Sequence, residues 1–292
     1  MKRRVTYLDV FTDLPLAGNG LAVVDDADDV SDEVMLGFAA ETRLSETTYL
    51  QAAAAAEADY RNRIWTPEEE LPFAGHPSLG TAVAVARWRG EESASLVQET
   101  PAGLQPLEVR REAESPERWF ASMQQAETVF GAELDPGVAM AAAGLDPDDA
   151  HPEIPPRIVS TGVAHAIVPL ADGAALARTQ PDYPVIDALL APQGAVVLYL
   201  AAWEHPRDGL ASAHARSFSR VVSLAEDPAT GSAAGPLCAY LHERGVCRAI
   251  DVSQGAEMGR PSSISAEIDA EGRARVSGSV VPIIDGEVQL PG

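Results

Sequence analysis

The stretch Glu226-Asp-Pro-Ala-Thr-Gly-Ser-Ala-Ala-Gly235 joins an acidic pair and a proline turn to a run of small residues that leads into an apolar segment. Pro228 presets the backbone for a turn, and Gly231 permits a positive φ. A helix that follows such a turn begins with free backbone N–H groups and the positive end of its dipole. This arrangement attracts a carboxylate or a phosphate. The stretch therefore predicts an anion-binding turn at the start of a helix.

A second stretch in the first half of the chain repeats the pattern. Glu70-Leu-Pro-Phe-Ala-Gly-His-Pro-Ser-Leu-Gly80 matches it as E-x-P-x-x-G-[HS] at a constant offset. Apolar residues follow both stretches at helical spacing, and Gly90 and Gly245 end the two runs. Either stretch alone is explained by an ordinary strand-turn-helix corner, but two in register indicate two related half-chains. We therefore predict a helix with a buried stripe after each turn.

The length and composition fit two globular domains. A chain of 292 residues with 46% hydrophobic content can bury two cores. No run of ~18 apolar residues could span a bilayer, and Asp9 interrupts the first apolar stretch too early for a signal peptide. We expect a cytoplasmic protein. Cys238 and Cys247 are too few and too poorly spaced for a metal cluster or a disulfide framework, so we expect both to be buried as small residues.

The charge balance is strongly acidic. The chain has 44 acidic and 21 basic residues, a formal net charge of −23, and Lys2 as its only lysine. Such a surface repels nucleic acid and anionic membranes, so neither is an expected partner. The acidic loops at 25–29 and 146–149 are interpreted as solvated faces and not as metal sites. A salt-adapted host and a high-GC mesophilic host both explain this composition.

Local patterns predict several elements. Residues 4–11 and 21–24 alternate as strands, and Ser31 is a candidate N-cap of a helix that turns Val34, Met35 and Phe38 inward. The charged, proline-containing segment 110–118 suggests a boundary between domains 1–117 and 118–292. The last strand, about 280–292, is a candidate to pair back with the first domain. Further predictions are one short helix within 131–156 and strands within 158–170, 195–203 and, as two patterns, 275–290.

Five motifs, in order, resemble those of the PhzF-like phenazine-biosynthesis isomerases. They are Phe11 with Pro15-Leu-Ala-Gly-Asn19, Leu44-Ser-Glu-Thr-Thr48, Glu70-Leu-Pro-Phe-Ala-Gly-His-Pro77, Glu226-Asp-Pro-Ala-Thr-Gly-Ser-Ala-Ala-Gly-Pro236 and Gln254-Gly-Ala-Glu-Met-Gly-Arg-Pro-Ser262. The match covers nearly the whole chain. It implies an α+β fold of two pseudo-symmetric diaminopimelate epimerase-like domains, each a curved sheet or barrel around a central helix, with the active site between them. It also implies a homodimer.

The resemblance places the functional groups inside these motifs. It implies Glu46, His76 and Asp227 as catalytic residues and Gly75, Gly231 and Ser232 as substrate-binding residues. Taken singly, each has an ordinary explanation: Glu46 as a capping or solvated glutamate, His76 and Asp227 as turn residues before proline, and Ser232 as a helix cap. Their joint presence in the right order is what predicts the site.

The implied reaction needs no cofactor and no metal. In the family, the cyclic amino acid trans-2,3-dihydro-3-hydroxyanthranilate loses a proton next to its hydroxyl group and regains one elsewhere in the ring. One acid/base that takes and returns the proton suffices, and Glu46 is the candidate. His76 and Asp227 would position the substrate and relay protons, while Ser232 and the glycine-loop amides would hold the carboxylate. The expected partner is therefore a small-molecule carboxylate.

Two alternatives remain open. Epimerases, racemases and dehydratases of the same broader fold include enzymes that use two cysteines, one in each glycine loop, and neither 70–80 nor 226–236 contains a cysteine here. A catalytically silent small-acid-binding protein is the other alternative. Binding a carboxylate would need only the loop amides, so the retention of Glu46, His76 and Asp227 together favours an enzyme.

The acidic composition predicts a dependence of stability on salt. We expect the midpoint of thermal unfolding to rise between dilute buffer and molar KCl, because counterions screen the repulsion among surplus carboxylates. Differential scanning calorimetry measures this midpoint. A midpoint that is unchanged or lower in molar KCl would instead favour a mesophilic host with a high-GC genome.

Overall fold

The computed structural model describes residues 1–219 and 225–292. The chain divides into two compact units. The first consists of Met1–Gln124 with Ser277–Gly292, and the second of Gln125–Val276. Both units mix helices with a mainly antiparallel sheet. No helix among the described residues is both long enough and apolar enough to span a bilayer.

The first unit contains eight strands and two helices of its own. In chain order these are β1 (Lys2–Val10), β2 (Asn19–Val24), α1 (Asp32–Thr42), β3 (Glu46–Gln51), β4 (Tyr60–Trp65), β5 (Glu70–Leu71), α2 (Gly75–Arg89), β6 (Ser93–Thr100), β7 (Gly103–Glu112) and β8 (Ser115–Gln124). The Ser31 hydroxyl accepts from the Val34 N–H and caps α1, as predicted. Met35 and Ala39 are the buried residues of α1, whereas Val34 and Phe38 are half-buried.

Helix α2 is buried on every side. All residues from Gly75 to Ala86 are buried, and the helix packs on β1, β2, β3, β4, β6, β7 and β8. A helix surrounded in this way needs an apolar or small surface all round. The predicted buried stripe is confirmed, since Leu79, Val83 and Ala86 are buried, and the buried surface extends to the other sides of α2 as well. Gly90, at φ 72°, caps its C-terminus in the left-handed conformation, as the sequence predicts.

The second unit is longer in its connections. It contains β9 (Val129–Glu133), α3 (Pro136–Ala143), β10 (Arg157–Ser160), β11 (Ala164–Pro169), α4 (Gly173–Arg178), α5 (Tyr183–Leu190), β12 (Val197–Trp203), β13 (Leu210–Phe218), β14 (Glu226–Asp227), α6 (Gly231–Glu243), β15 (Ala249–Gln254) and β16 (Ser262–Ile268). Helix α6 packs on β10, β11, β15 and β16 and is buried along most of its length. Helix α3 is the predicted short helix, and α4 and α5 are helices that the sequence patterns did not indicate.

The two units repeat one order of elements. In each unit, two antiparallel strands come first, and the third strand runs parallel to the second. Two more strands follow, each antiparallel to the one before it, and the buried helix comes last. The registers of the strand pairs also agree. Leu21 in β2 lies opposite Glu46 in β3, and His165 in β11 lies opposite Val197 in β12. Trp65 in β4 lies opposite Glu70 in β5, and Phe218 in β13 lies opposite Glu226 in β14. These pairings make Leu21 the structural counterpart of His165, and Glu46 the counterpart of Val197.

The segment that sequence analysis placed at the domain boundary forms a hairpin. Strands β7 and β8 pair antiparallel, from Leu107 opposite Met123 to Glu112 opposite Ser115. Strand β8 continues past the expected boundary at residue 117 and belongs to the first unit, because it pairs with β7. The charge and proline content of 110–118 reflects an exposed hairpin turn.

The C-terminal part of the chain contains one long strand. β17 (Ala274–Gln289) replaces the two predicted strand patterns, and it pairs antiparallel with β1 from Val10 opposite Val280 to Lys2 opposite Gln289. A register shift between Tyr7 and Leu8 accompanies this pairing. The last strand therefore contributes to the sheet of the first unit.

Close packing at Gly235 predicts a large effect of a single methyl group. A Cβ at this position would lie 1.8 Å from Oε1 of the buried Gln125, whose amide bonds Thr161 and Gly231. We expect Gly235→Ala to lower the free energy of unfolding by about 2 kcal/mol, through overpacking and loss of these hydrogen bonds. Urea denaturation measures the change.

Gly37→Ala is the matched control for this substitution. Gly37 is an exposed residue of α1, and a Cβ there would meet nothing within 4 Å. Higher helix propensity should make this variant up to about 1 kcal/mol more stable. Equal effects of the two substitutions would contradict the packing described around Gly235.

Candidate active site

Two predicted catalytic residues of the first unit lie side by side. Glu46 is the first residue of β3 and His76 the second residue of α2, and they are 6% and 5% exposed. His76 Nε2 lies 3.4 Å from Glu46 Oε2, in contact but outside hydrogen-bond geometry. The sheet places Glu46 at this point because β3 runs parallel to β2 with Glu46 opposite Leu21.

A chain of hydrogen bonds defines the orientation of the His76 ring. The Ser45 hydroxyl donates to Asn19 Oδ1 at 2.8 Å, so the other end of the Asn19 side chain is its NH₂ group. Asn19 Nδ2 lies 3.3 Å from His76 Nδ1, and an amide nitrogen can only donate. His76 Nδ1 is therefore the acceptor, and in the neutral ring the proton is on Nε2, the atom that faces Glu46.

Burial keeps His76 neutral. Desolvation lowers the pKa of His76 to about 3, because the apolar surroundings disfavour the charged imidazolium. The proximity of Glu46 would act in the opposite direction, but burial is the dominant cause. The contact between the two side chains is therefore a carboxyl group beside a neutral N–H donor and not an ion pair.

The two glycine-loop helices differ from the other α-helices at their N-termini. Ser31, Asp135, Asp172 and Asp182 cap α1, α3, α4 and α5, each accepting a hydrogen bond from a first-turn amide. The N-cap residues of α2 and α6 are Ala74 and Thr230, and neither forms a side-chain cap. Gly75 and His76 begin α2, and Gly231 and Ser232 begin α6. The predicted substrate-binding residues thus supply backbone N–H groups at helix starts where the N-cap side chain forms no hydrogen bond.

Asp227 lies at the centre of a polar network in the second unit. The Thr230 hydroxyl donates to Asp227 Oδ2, and Gln254 Nε2 donates to the Asp227 carbonyl oxygen at 2.7 Å. Gln254 is buried, and its Oε1 accepts from the Tyr199 hydroxyl at 3.0 Å. Burial raises the pKa of Tyr199, so the phenol remains a donor. This network fixes both the backbone and one carboxylate oxygen of Asp227.

The first acidic residue of each glycine-loop motif has a structural role. Arg63 binds Glu70 through two hydrogen bonds of 2.7 and 2.6 Å, and Arg216 binds Glu226 through two of 2.7 and 2.9 Å. Both pairs join the motif to the neighbouring strand in the same way. Two parallel hydrogen bonds of this kind hold a loop in a fixed orientation. This structural role explains why the motif contains Glu70 and Glu226, and neither needs to act as an acid/base group.

The repeat is symmetric in its framework but not in its chemistry. Val197 occupies in β12 the position that Glu46 occupies in β3, and it is 7% exposed. Ser232 occupies the position of His76. The second unit therefore has no carboxyl group at the place equivalent to Glu46, and at this place the contact between a buried carboxyl group and a buried histidine occurs in the first unit and not in the second.

Sequence reasoning did not identify Asn19 and Ser45 as site residues. Both are buried, and both lie inside motifs already noted, after Gly18 and before Glu46. The sequence offered one indication of each: Asn19 is a polar residue next to a predicted turn, and Ser45 is a polar residue next to a predicted catalytic residue. Their role depends on a contact between β2 and α2 that spacing does not reveal.

Two further features of residues 1–219 and 225–292 bear on other kinds of site. No group of three or more His, Cys, Asp or Glu side chains in these residues could share a metal ion. A groove of about 460 Å³ in the first unit is lined by Arg4, Arg87, Arg111, Trp88 and Trp119 among others, but it contains none of the predicted site residues. Its three arginines are each paired with a carboxylate, namely Asp25, Asp285 and Glu92.

Comparison with known proteins extends this description to the whole chain. The family model for phenazine biosynthesis-like proteins, PhzC-PhzF, matches residues 8–286. A trans-2,3-dihydro-3-hydroxyanthranilate isomerase from Pseudomonas aeruginosa is 34% identical over 98% of this chain and 99% of its own. A solved structure described as a predicted epimerase, also from Pseudomonas aeruginosa, has 34% identity and a TM-score of 0.84, with 98% and 99% of the two chains covered.

A more distant structure confirms the fold class. A probable proline racemase from Agrobacterium radiobacter has a TM-score of 0.65 at 13% identity, with 99% of this chain and 93% of that one covered. Identity this low supports the fold alone, and the predicted α+β epimerase-like fold is confirmed. With its motifs, fold and nearly complete match to the family model, the chain belongs to the PhzC-PhzF family of phenazine biosynthesis-like proteins and is an isomerase.

Proposed function

We propose that this isomerase moves a proton within a small cyclic amino acid or a related carboxylate, without a cofactor, and that Glu46 is its acid/base. The observation that carries the proposal is the contact between the buried Glu46 carboxyl group and the neutral His76 ring, 3.4 Å apart. A proton shift needs one group that accepts a proton and returns it at another carbon. A buried carboxylate suits this task, because exclusion of bulk water limits loss of the proton to solvent.

The fixed tautomer of His76 defines its role in the proposal. Its Nε2–H faces Glu46, and Asn19 occupies Nδ1. The ring can therefore donate a hydrogen bond at Nε2, to Glu46 or to a substrate hydroxyl group beside it, without carrying a charge. A neutral donor next to the base orients the carboxylate and leaves it able to accept a proton.

We assign binding of the substrate carboxylate to the uncapped helix starts. The amides of Gly75 and His76, and those of Gly231 and Ser232, have the direction and dipole that favour an anion. Asp227, fixed by Thr230 and Gln254, is assigned to hold the substrate amine or hydroxyl group. Net charge supports a small ligand, since −23 disfavours large polyanions.

The named activity of the Pseudomonas aeruginosa relative supplies a candidate substrate. We propose trans-2,3-dihydro-3-hydroxyanthranilate, or a ring acid with the same functional groups, for this chain. Glu46 would remove a proton from the ring carbon next to the hydroxyl group and return it to another ring carbon. The product is an isomer, so no electron acceptor and no second substrate is required.

The rival functions have less support. A two-thiol racemase would need a cysteine in each glycine loop, whereas Cys238 lies inside α6 with its Sγ 3.5 Å from the Ala266 carbonyl oxygen, and Cys247 is buried. A silent binding protein would not need the arrangement of Ser45, Asn19 and His76 around Glu46. The homodimer and the cytoplasmic location remain predictions, and light scattering of the purified protein tests the first.

Replacement of the proposed base tests the mechanism directly. In Glu46→Gln we expect turnover to fall by roughly 10²–10⁴-fold, because the amide cannot accept the proton, while affinity for the ring acid changes little. The assay incubates the protein with trans-2,3-dihydro-3-hydroxyanthranilate in D₂O and follows ring deuteration and loss of the diene absorbance. Glu41→Gln, an exposed glutamate of α1, controls for the change of charge. Activity of Glu46→Gln within a few-fold of the parent would refute the assignment.

The buried histidines predict a loss of stability in mild acid. Burial lowers the pKa of His76 to about 3 and that of His165 to about 4, both below the unfolded value near 6.5. The unfolded chain then binds more protons than the folded chain. The free energy of unfolding therefore has its full value above pH 6.5 and decreases as the pH falls toward 4. At pH 5 the loss is about 2 kcal/mol for each histidine.

Urea denaturation at pH 7.5 and pH 5 measures this loss. In His76→Gln the contribution of His76 should disappear, so the difference in unfolding free energy between the two pH values should be about 2 kcal/mol smaller than in the parent protein. Equal pH dependence of the parent and the variant would show that His76 is not buried in the neutral form.

A further inference from the structure

The helix that begins with the second glycine loop contains a proline in its second turn. Pro236 follows Ser232 by four residues within α6. In an α-helix the carbonyl of Ser232 would accept a hydrogen bond from the N–H at this position, but proline has none. The Ser232 carbonyl, next to the amides proposed to bind the carboxylate, therefore lacks its regular helical donor.

A buried histidine lies beside this carbonyl. His165, in β11, is 1% exposed, and neither ring nitrogen makes a hydrogen bond of normal geometry. Strand β11 packs on α6, and the His165 ring interacts with the Ser232 backbone in the sense that favours a proton on the ring. A carbonyl acceptor has this effect, whereas an amide donor has the reverse. His165 is thus a buried ring with an unused N–H, on a strand that packs against the helix whose Ser232 carbonyl lacks its regular donor.

The first unit provides an internal comparison. There the counterpart of Pro236 is Gly80, which has an N–H for the His76 carbonyl, and the counterpart of His165 is Leu21. Leu21 packs directly on this helix, since its Cδ2 lies 2.6 Å from where a Cβ on Gly80 would be. An apolar side chain suffices where the helix has its own donor. The donor side chain occurs in the unit where proline has removed that N–H.

Packing alone does not explain the histidine. A buried imidazole costs more to desolvate than a leucine of similar size, and that cost is offset only where the ring forms a hydrogen bond. Leu21 shows that a leucine fits the same position in the repeat. The Ser232 carbonyl, which Pro236 leaves without its helical donor, is an acceptor that a ring N–H would satisfy.

We propose that His165 is a positioning residue whose ring N–H replaces the N–H missing at Pro236 and holds the first turn of α6 through the Ser232 carbonyl. It would thereby keep the Gly231 and Ser232 amides in the orientation that receives a carboxylate. This last consequence rests on the function proposed for the second glycine loop. The hydrogen-bonding role itself does not, and it can be tested without a ligand.

A double-mutant cycle tests the hydrogen-bonding role. The variants are His165→Leu, Pro236→Ala and the two combined, and the measurement is the midpoint of thermal unfolding at pH 7.5. With Pro236 present, we expect His165→Leu to lower the midpoint by about 3 °C. In the Pro236→Ala background the loss should fall to less than half, because the alanine N–H now bonds the Ser232 carbonyl. His165→Gln, which keeps an N–H donor, should recover part of the loss.

Ala239→Gly serves as the control for a nonspecific change in α6. It weakens the same helix without supplying a donor to Ser232, so its effect should add to that of His165→Leu. Equal losses from His165→Leu in the parent and in the Pro236→Ala background would overturn the proposal and leave His165 as a packing residue.

Ligand binding tests the consequence for the loop. Anthranilate, a ring carboxylate that cannot undergo the reaction, is titrated calorimetrically into the parent protein and the three variants of the cycle. We expect His165→Leu to weaken binding about five-fold and Pro236→Ala to restore it, since one hydrogen bond is worth roughly this factor. Coupled midpoints without coupled affinities would confine His165 to stability. Absence of binding by the parent protein would count against the proposed function and leave the unfolding cycle to decide the role of His165.

Discussion

Complete burial of a helix inside a curved sheet is the constraint on which the first unit depends. Helix α2 meets strands on all sides, so its side chains must be small or apolar, and every polar group at its start needs a fixed position. His76 satisfies this constraint as a neutral ring, with Asn19 at Nδ1 and Glu46 near Nε2. The burial that requires small or apolar side chains in α2 thus also determines the protonation state of His76.

The two units show how a repeated framework acquires one-sided chemistry. The forks from Arg63 to Glu70 and from Arg216 to Glu226 are kept in both, because both loops must be joined to a strand. The carboxyl group proposed as the acid/base is not kept, since Val197 occupies in the second unit the position of Glu46 in the first. A single buried carboxyl group fits a reaction in which the same group takes and returns a proton, whereas inversion at one carbon by two opposed groups would need both positions filled.

Much of this organisation could be predicted from the sequence, and the features that could not be predicted have physical causes. Local rules predicted the Ser31 cap, the stop at Gly90 and both loop helices, because each depends on a few adjacent residues. The hairpin at 110–118 is local, but its charge and proline content suit a linker between domains equally well. All-round burial of α2 and the single strand β17 depend on partners distant in the chain. Asn19 and Ser45 were missed for the same reason, since their role is a contact between β2 and α2. The motif residues Glu46 and His76 could be predicted only through the family resemblance, as neither has a distinctive local pattern.

The acidic composition and the site are physically separable. A net charge of −23 would by itself favour a protonated His76, yet burial overrides that field and keeps the ring neutral. The carboxylates that create the charge are largely exposed, as in the loops around Asp26 and Asp148, where salt screens them within about 10 Å. Their number can therefore change with the salinity or codon usage of the host without altering the groups around Glu46. Adaptation of the surface and the protonation state of His76 are then independent, because desolvation, and not the surrounding charge, keeps the buried ring neutral.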